Sequence, residues 1–216
     1  MPFDLAALRF GALRDPERLK RFIRFPAAPQ LPEAWPAGNS RLLLGHNDTL
    51  GTCVPTAYCN AIERLRWSLG MQPVLTDDDC VSLYRDPGPY RGTPETDAGM
   101  DPVTLFEWGK QNAVGGFRLS EWHDIDPADE GDMRRAIEAQ LSVMVVQEVR
   151  APQAWQTIWT PAGGAVMGLH ATSADRFVGP LTWAACWGVQ QGIDQPWFSG
   201  PERQAVDIFA LKFARA

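Results

Sequence analysis

The chain has 216 residues, 45% of them hydrophobic and nine of them tryptophan, enough to bury the core of one domain. No apolar run approaches the roughly 18 residues a membrane helix needs, and Met1 to Phe10 mixes Asp4 and Arg9 with short apolar runs instead of showing a leader pattern. Folding in a cytoplasm with no membrane partner is therefore expected. The formal charge of -6 argues against a nucleic-acid partner, because phosphate binding needs clustered Lys and Arg.

Charge is unevenly spread. Residues 1–25 carry six basic side chains (Arg9, Arg14, Arg18, Lys20, Arg21, Arg24) against three acidic ones, a net of +3, which leaves -9 for the remainder. A solvated helix is the favoured reading of this stretch; an arm docked on an acidic surface is the competing one. Residues 4–24 read as an amphipathic helix interrupted near Asp15-Pro16, with Asp15 as the cap of its second piece. Phe25 to Gly38 holds Pro26, Pro29, Pro32 and Pro36, too many for a helix or a central strand, so an extended strap is expected. Residues 1–40 thus form a basic arm and strap, and residues 41–216 a domain.

Arg41 to Leu44 is a short apolar segment followed by a polar turn, His46 to Thr49. From Cys53 to Leu69 the apolar residues Val54, Ala57, Tyr58, Ala61, Ile62, Leu65 and Leu69 recur at spacings of three and four, which predicts a helix. Pro55 sits in its first turn and Gly70 follows its end. A second helix starts at Thr76, with Asp79 as capping partner. Arg85 to Gly99 is a loop, and Pro102 to Gln111 a third helix. Asp126-Pro127 opens a fourth through Leu141, with Asp126 as cap. Strands are predicted at Ser142 to Val149, Val166 to Phe177, Leu181 to Trp187 and Val206 to Phe213. Helices precede strands, an α+β order.

Four cysteines, Cys53, Cys59, Cys80 and Cys186, show no CxxC pair, so a zinc knuckle and a thioredoxin motif are both excluded; no cofactor is expected. A cysteine opening a helix lies near unpaired N–H groups and the positive dipole end, which favour the thiolate. Cys53 is in that position, and Gly51 before it permits close approach of a substrate backbone. The competing reading is a small buried hydrophobe. His170, at the start of a distant strand, supplies an imidazole that such a thiol needs as a base; taken alone, the favoured reading is a satisfied core histidine. Asn47, six residues before Cys53, is either a turn residue bonded to its own backbone or an amide donor for an oxyanion.

Taken together, Asn47-Asp48-Thr49-Leu50-Gly51-Thr52-Cys53, Asp126-Pro127, Gly168-Leu169-His170-Ala171-Thr172 and Thr182-Trp183-Ala184 resemble, in order and spacing, the motifs of papain-like cysteine peptidases. They are most similar to those of the short papain-fold proteins encoded by bacteriophages. The resemblance spans residues 41–213 or so and leaves the first 40 uncovered. It implies a central helix carrying Cys53, packed on an antiparallel sheet carrying His170. Acyl transfer follows, with Cys53 as nucleophile, His170 as base, and the Cys53 N–H and Asn47 amide holding the oxyanion.

Three positions depart from the motifs: Leu169 before the histidine, Thr52 before the cysteine, and Ala184 after Trp183. The usual orienting asparagine is absent. Thr182 occupies its approximate position, and Asp175, five residues along the strand, points to the opposite face. Peptide or protein substrates are implied, in a phage or prophage setting. A virion decoration protein of the same fold, tethered to other virion proteins through its arm and with activity weak or lost, is the alternative; a transglutaminase-type acyltransferase is a third. Residues 26–38 are placed to cross the cleft as a propeptide-like strap. His46 reads as a solvated turn residue in preference to a substrate contact, His123 lacks a spaced partner for a metal, and helix capping explains Asp124, Asp126, Asp129 and Asp132 better than calcium.

Overall fold

The computed structural model describes residues 10–14, 17–18, 42–139, 142–178, 180–198 and 203–216. Three helices come first: α1 (Cys53–Ser68), α2 (Asp77–Arg85) and α3 (Pro102–Gly109). Strand β1 (Phe117–Ile125) and helix α4 (Glu130–Glu138) follow, then β2 (Ser142–Arg150), β3 (Ile158–Trp159), β4 (Val166–Val178), β5 (Leu181–Cys186), β6 (Val189–Asp194) and β7 (Ala205–Arg215). The strands form one sheet in the order β1-β7-β2-β4-β5-β6-β3, antiparallel except for the β3–β6 pair.

The sheet separates two apolar cores. On one face Val54, Tyr58 and Ile62 of α1, Tyr84 of α2 and Phe106 of α3 meet Met144, Val146, Ala171 and Phe209 of the sheet. On the other, Met133 and Ile137 of α4 pack with Val143, Val145, Trp159, Trp187 and Trp197. Strand β2 feeds both cores with alternate side chains, so Val143 to Val146 read as a continuous apolar run. Cys53 thus opens a helix and His170 lies on a strand packed against it, the α+β arrangement that the motif order implies.

Helix caps explain where the elements begin. Thr76 and Asp79 exchange bonds across the first turn of α2, and the Asp101 carboxylate accepts from the Thr104 N–H at the start of α3. Sequence reasoning placed the start of α4 one turn too early. Asp126 caps only a turn, accepting from the Ala128 N–H at 2.9 Å, and the helix starts under Asp129, which accepts from the Asp132 N–H. The two short strands β3 and β6 and strand β1, in which exposed Arg118 and Ser120 alternate with buried Phe117 and Leu119, lie outside the strands expected from sequence.

The helix expected over residues 4–24 is contradicted where the chain is described. Residues 10–13 are extended, and Ala12 forms a parallel bridge with Met100. Main-chain groups of the neighbouring walls satisfy this segment's own, displacing the local bonds a helix needs. The strap over residues 26–38 lies outside the described residues.

Candidate active site

The turn before Cys53 is pinned from several sides. Gly45 and His46 adopt left-handed φ values of 63° and 57°, and a side chain at Gly45 would lie 1.9 Å from Thr56 Oγ1. Thr52 Oγ1 donates to the Gly45 carbonyl at 2.6 Å, and the Gly45 N–H donates to Asp77 at 2.7 Å. The Asn60 side chain, buried in α1, accepts from the Leu43 N–H and donates to the Leu43 carbonyl. Asp97 accepts from the Gly51 N–H at 2.8 Å and from the Tyr84 hydroxyl at 2.9 Å. That hydroxyl in turn accepts from the Gly99 N–H at 2.7 Å. Cys53 therefore opens α1 from a rigid turn coupled to the opposite wall.

Cys53 is fully buried. Burial pushes its thiol up to about 11, against the pull of N–H groups of Ala171, Gly11, Val54 and Cys53 itself, all of which favour the thiolate. His170 is equally buried, and desolvation pushes its imidazole down to about 3. Its Nε2 lies 3.3 Å from Cys186 Sγ, and its Nδ1 has no hydrogen-bond partner among the described residues. Trp187 stacks on the ring at 4.5 Å between centroids, while Trp159 and Phe10 meet it edge-on. Ala171, the next residue along β4, carries the N–H that reaches Cys53 Sγ. The two candidate groups thus flank one strand segment, but no hydrogen bond joins His170 Nδ1 to Cys53.

Asn47 is buried in the turn, and its Oδ1 lacks a partner among the described residues. Thr182 is buried too, but the structure does not bring it to His170. It pairs with Phe177, seven residues along β4 and so roughly 23 Å away. The cause is antiparallel register: β5 turns back from Val178, so its last residues approach His170 and its first do not. Counting back from that hairpin is the signal that would have found Cys186. Asp175 faces Arg64 of α1 at 3.6 Å, away from the imidazole. Among the described residues no cluster of His, Cys, Asp and Glu fits a metal ion.

The cleft is filled by the chain's own residues 10–13. The Met100 N–H donates to the Gly11 carbonyl at 2.5 Å, the Leu13 N–H to the Met100 carbonyl at 3.0 Å, and the Ala12 N–H to the Leu169 carbonyl at 3.3 Å. Glycines make room for it. A side chain at Gly99 would meet Gly11 O at 2.3 Å, and one at Gly168 would meet Phe10 Cβ at 2.4 Å. Gly11 has no spare space either, because a Cβ there would lie 2.0 Å from Gly51 O. Beyond the cleft, both Arg18 terminal nitrogens bond Asp124, at 2.9 and 2.6 Å, with the guanidinium over Trp122 and Phe209. Arg14 Nε lies 3.4 Å from Asp207. For these residues the favoured solvated-helix reading is overturned, and docking on buried carboxylates takes its place.

No family model and no curated protein matches this sequence. Solved structures do. Xylellain, a cysteine protease from Xylella fastidiosa, superposes with a TM-score of 0.64 at 12% identity over 97% of both chains. ProCathepsin B S9 from Trypanosoma congolense gives 0.66 at 12% identity, over 100% of this chain and 89% of that one. The Carica candamarcensis cysteine protease CMS1MS2 gives 0.53 at 16% identity, over 76% of this chain and 89% of that one. With Cys53 opening the central helix and His170 on the facing sheet, the chain has the fold of the papain-like cysteine proteases.

Proposed function

We propose that the chain is a cysteine hydrolase of peptide or other amide bonds, with Cys53 as nucleophile and His170 as base, held shut by its own N-terminal segment. One observation carries this reading. An extended peptide, residues 10–13, lies across Cys53 and bonds main chain to main chain with both walls. A cleft that holds any extended backbone in this way suits a peptide substrate better than a compact small molecule.

The bound segment escapes cleavage for a geometric reason. Sγ meets the N–H of Gly11, a donor, and the Gly11 carbonyl is occupied by the Met100 N–H. When the segment leaves, water and substrate reach Sγ and the desolvation that raises its pKa falls away. The N–H groups of Ala171, Val54 and Cys53 remain to favour the thiolate. The imidazole of His170 takes the Cys53 proton as Sγ attacks a substrate carbonyl carbon, and returns it to the departing amine as the C–N bond breaks. Water, giving a proton to the imidazole, then cleaves the thioester to release the acid and restore the thiol. In this reading the Cys53 N–H and the Asn47 side-chain amide receive the oxyanion.

The test is Gly11→Ala in the full chain. Two backbones clash there, and neither can yield as a flexible side chain would. The expected result is that Cys53 becomes alkylated by iodoacetamide far faster than Cys59, Cys80 and Cys186 below pH 9, with peptide hydrolysis appearing in parallel. Adding His170→Ala removes both. If Cys53 in Gly11→Ala reacts no faster than the other three cysteines, the hydrolase reading falls.

The unmade bond between His170 and Cys53 and the filled cleft favour a second reading, a virion decoration protein of this fold with its chemistry lost. The motif order supports a phage or prophage source for either one. A permanently seated arm that survives Gly11→Ala is the outcome expected of the second.

A further inference from the structure

The ring of His170 must be held in one tautomer if it is to act on Cys53, and the residue expected to hold it, Thr182, lies far along the sheet. The sulfur of Cys186 is in its place. It ends β5, and the next two residues, Trp187 and Gly188, have φ values of 47° and 73°. This is a two-residue turn with both central residues left-handed, the tightest connection between β5 and β6. Glycine adopts that conformation freely; a bulky tryptophan does so only under strain, and such strain clusters where geometry serves a function. Here it brings two consecutive side chains onto one ring: the Trp187 indole covers the imidazole face, and Cys186 Sγ meets its Nε2.

A neutral imidazole has one N–H and one lone pair. Nε2 faces sulfur at 3.3 Å, whereas Nδ1 faces no partner among the described residues. Burying an N–H without an acceptor is the costlier arrangement, so the proton belongs on Nε2, where Sγ accepts it. The lone pair is then left on Nδ1, the nitrogen free to take a proton. We propose that Cys186 is the positioning residue of His170, fixing the Nε2–H tautomer so that Nδ1 can receive the Cys53 proton. The assignment rests on the hydrolase reading for its purpose but not for its geometry. Cys186 touches neither substrate nor the scissile bond in this account, and acts only through the imidazole.

The experiment is nitrogen-15 NMR of the imidazole nitrogens in the full chain, with the His170 signals identified by their loss in His170→Gln. Protonated Nε2 and unprotonated Nδ1 are expected in the wild type and in Cys186→Ser, which keeps an acceptor. Cys186→Ala is expected to mix the tautomers or reverse them. In the Gly11→Ala background, Cys186→Ala should also slow Cys53 alkylation about tenfold or more, with Cys186→Ser restoring most of the rate. A tautomer unchanged in Cys186→Ala overturns the proposal, as does a wild type protonated at Nδ1. If the tautomer follows residue 186 while Cys53 stays inert in Gly11→Ala, positioning by Cys186 is upheld and the hydrolase reading alone fails.

Discussion

His170 couples the site to the stability of the fold through its proton. Its folded pKa, about 3, lies below the ordinary 6.5, so between those values the unfolded chain binds a proton that the folded chain excludes. Its contribution is complete above pH 6.5 and is lost as the pH falls toward 3. Once the pH is well below 6.5, the loss approaches about 1.4 kcal/mol per pH unit. Urea titrations from pH 7 to pH 4 are expected to show this slope, reduced in His170→Gln.

Asn60 offers a second test at this scale. Its side chain satisfies both backbone groups of Leu43, and Asn60→Ala should cost about 2 kcal/mol by leaving buried polar groups unmet. Thermal unfolding reads that loss directly. The places of Cys53 at a helix start and of His170 on a strand were legible in the sequence, because the helical period begins at one and an apolar run holds the other. The place of Cys186 beside that imidazole was not, since it comes from register and from a Trp-Gly turn that lacks the usual Asn-Gly signature.

Elements differ in how openly the sequence declares them. Helices α1, α2 and α3 announce themselves by apolar periodicity and by caps, and their starts agree with expectation to within a residue. Strand β1 was hidden because its alternation lasts only from Phe117 to Ser120 and is broken by the irregularity between Leu119 and Glu121. Strand β3 is too short to show any period. Helix α2 matters to the cleft because it carries Tyr84, whose hydroxyl joins Asp97 to the Gly99 N–H. Thr76→Ala removes its cap and is expected to cost about 1 kcal/mol. Tyr84→Phe acts nearer the site. It leaves Gly99 without its acceptor, so amide hydrogen exchange should rise at Gly99 and Gly51 before it rises elsewhere.

At the scale of the whole molecule, the described residues of the arm meet the domain in the cleft and at the pair of buried carboxylates. Arg18 lies bidentate on Asp124 and within 4.0 Å of Asp207, with aromatic rings beneath it. Arg18→Met should destabilise the folded chain by about 3 kcal/mol, because the carboxylates remain buried when the guanidinium is gone. It should also raise the rate of Cys53 alkylation, since the arm then loses its bidentate anchor on Asp124 while the Arg14–Asp207 pair and the cleft contacts remain. Salt should imitate this substitution weakly, as the pair is largely shielded from solvent.

Residues 10–13 are covalently tethered to the cleft they fill, so they act as a bound ligand at a fixed local concentration, on the order of millimolar for a short tether. If the chain is the hydrolase proposed above, an incoming peptide competes against that concentration whatever the dilution of the protein. Its apparent KM is then expected to be multiplied while kcat after entry is unchanged. A single cut anywhere between the arm and the domain would turn the competitor into a freely diffusing one, weakening it by dilution without altering one contact in the site.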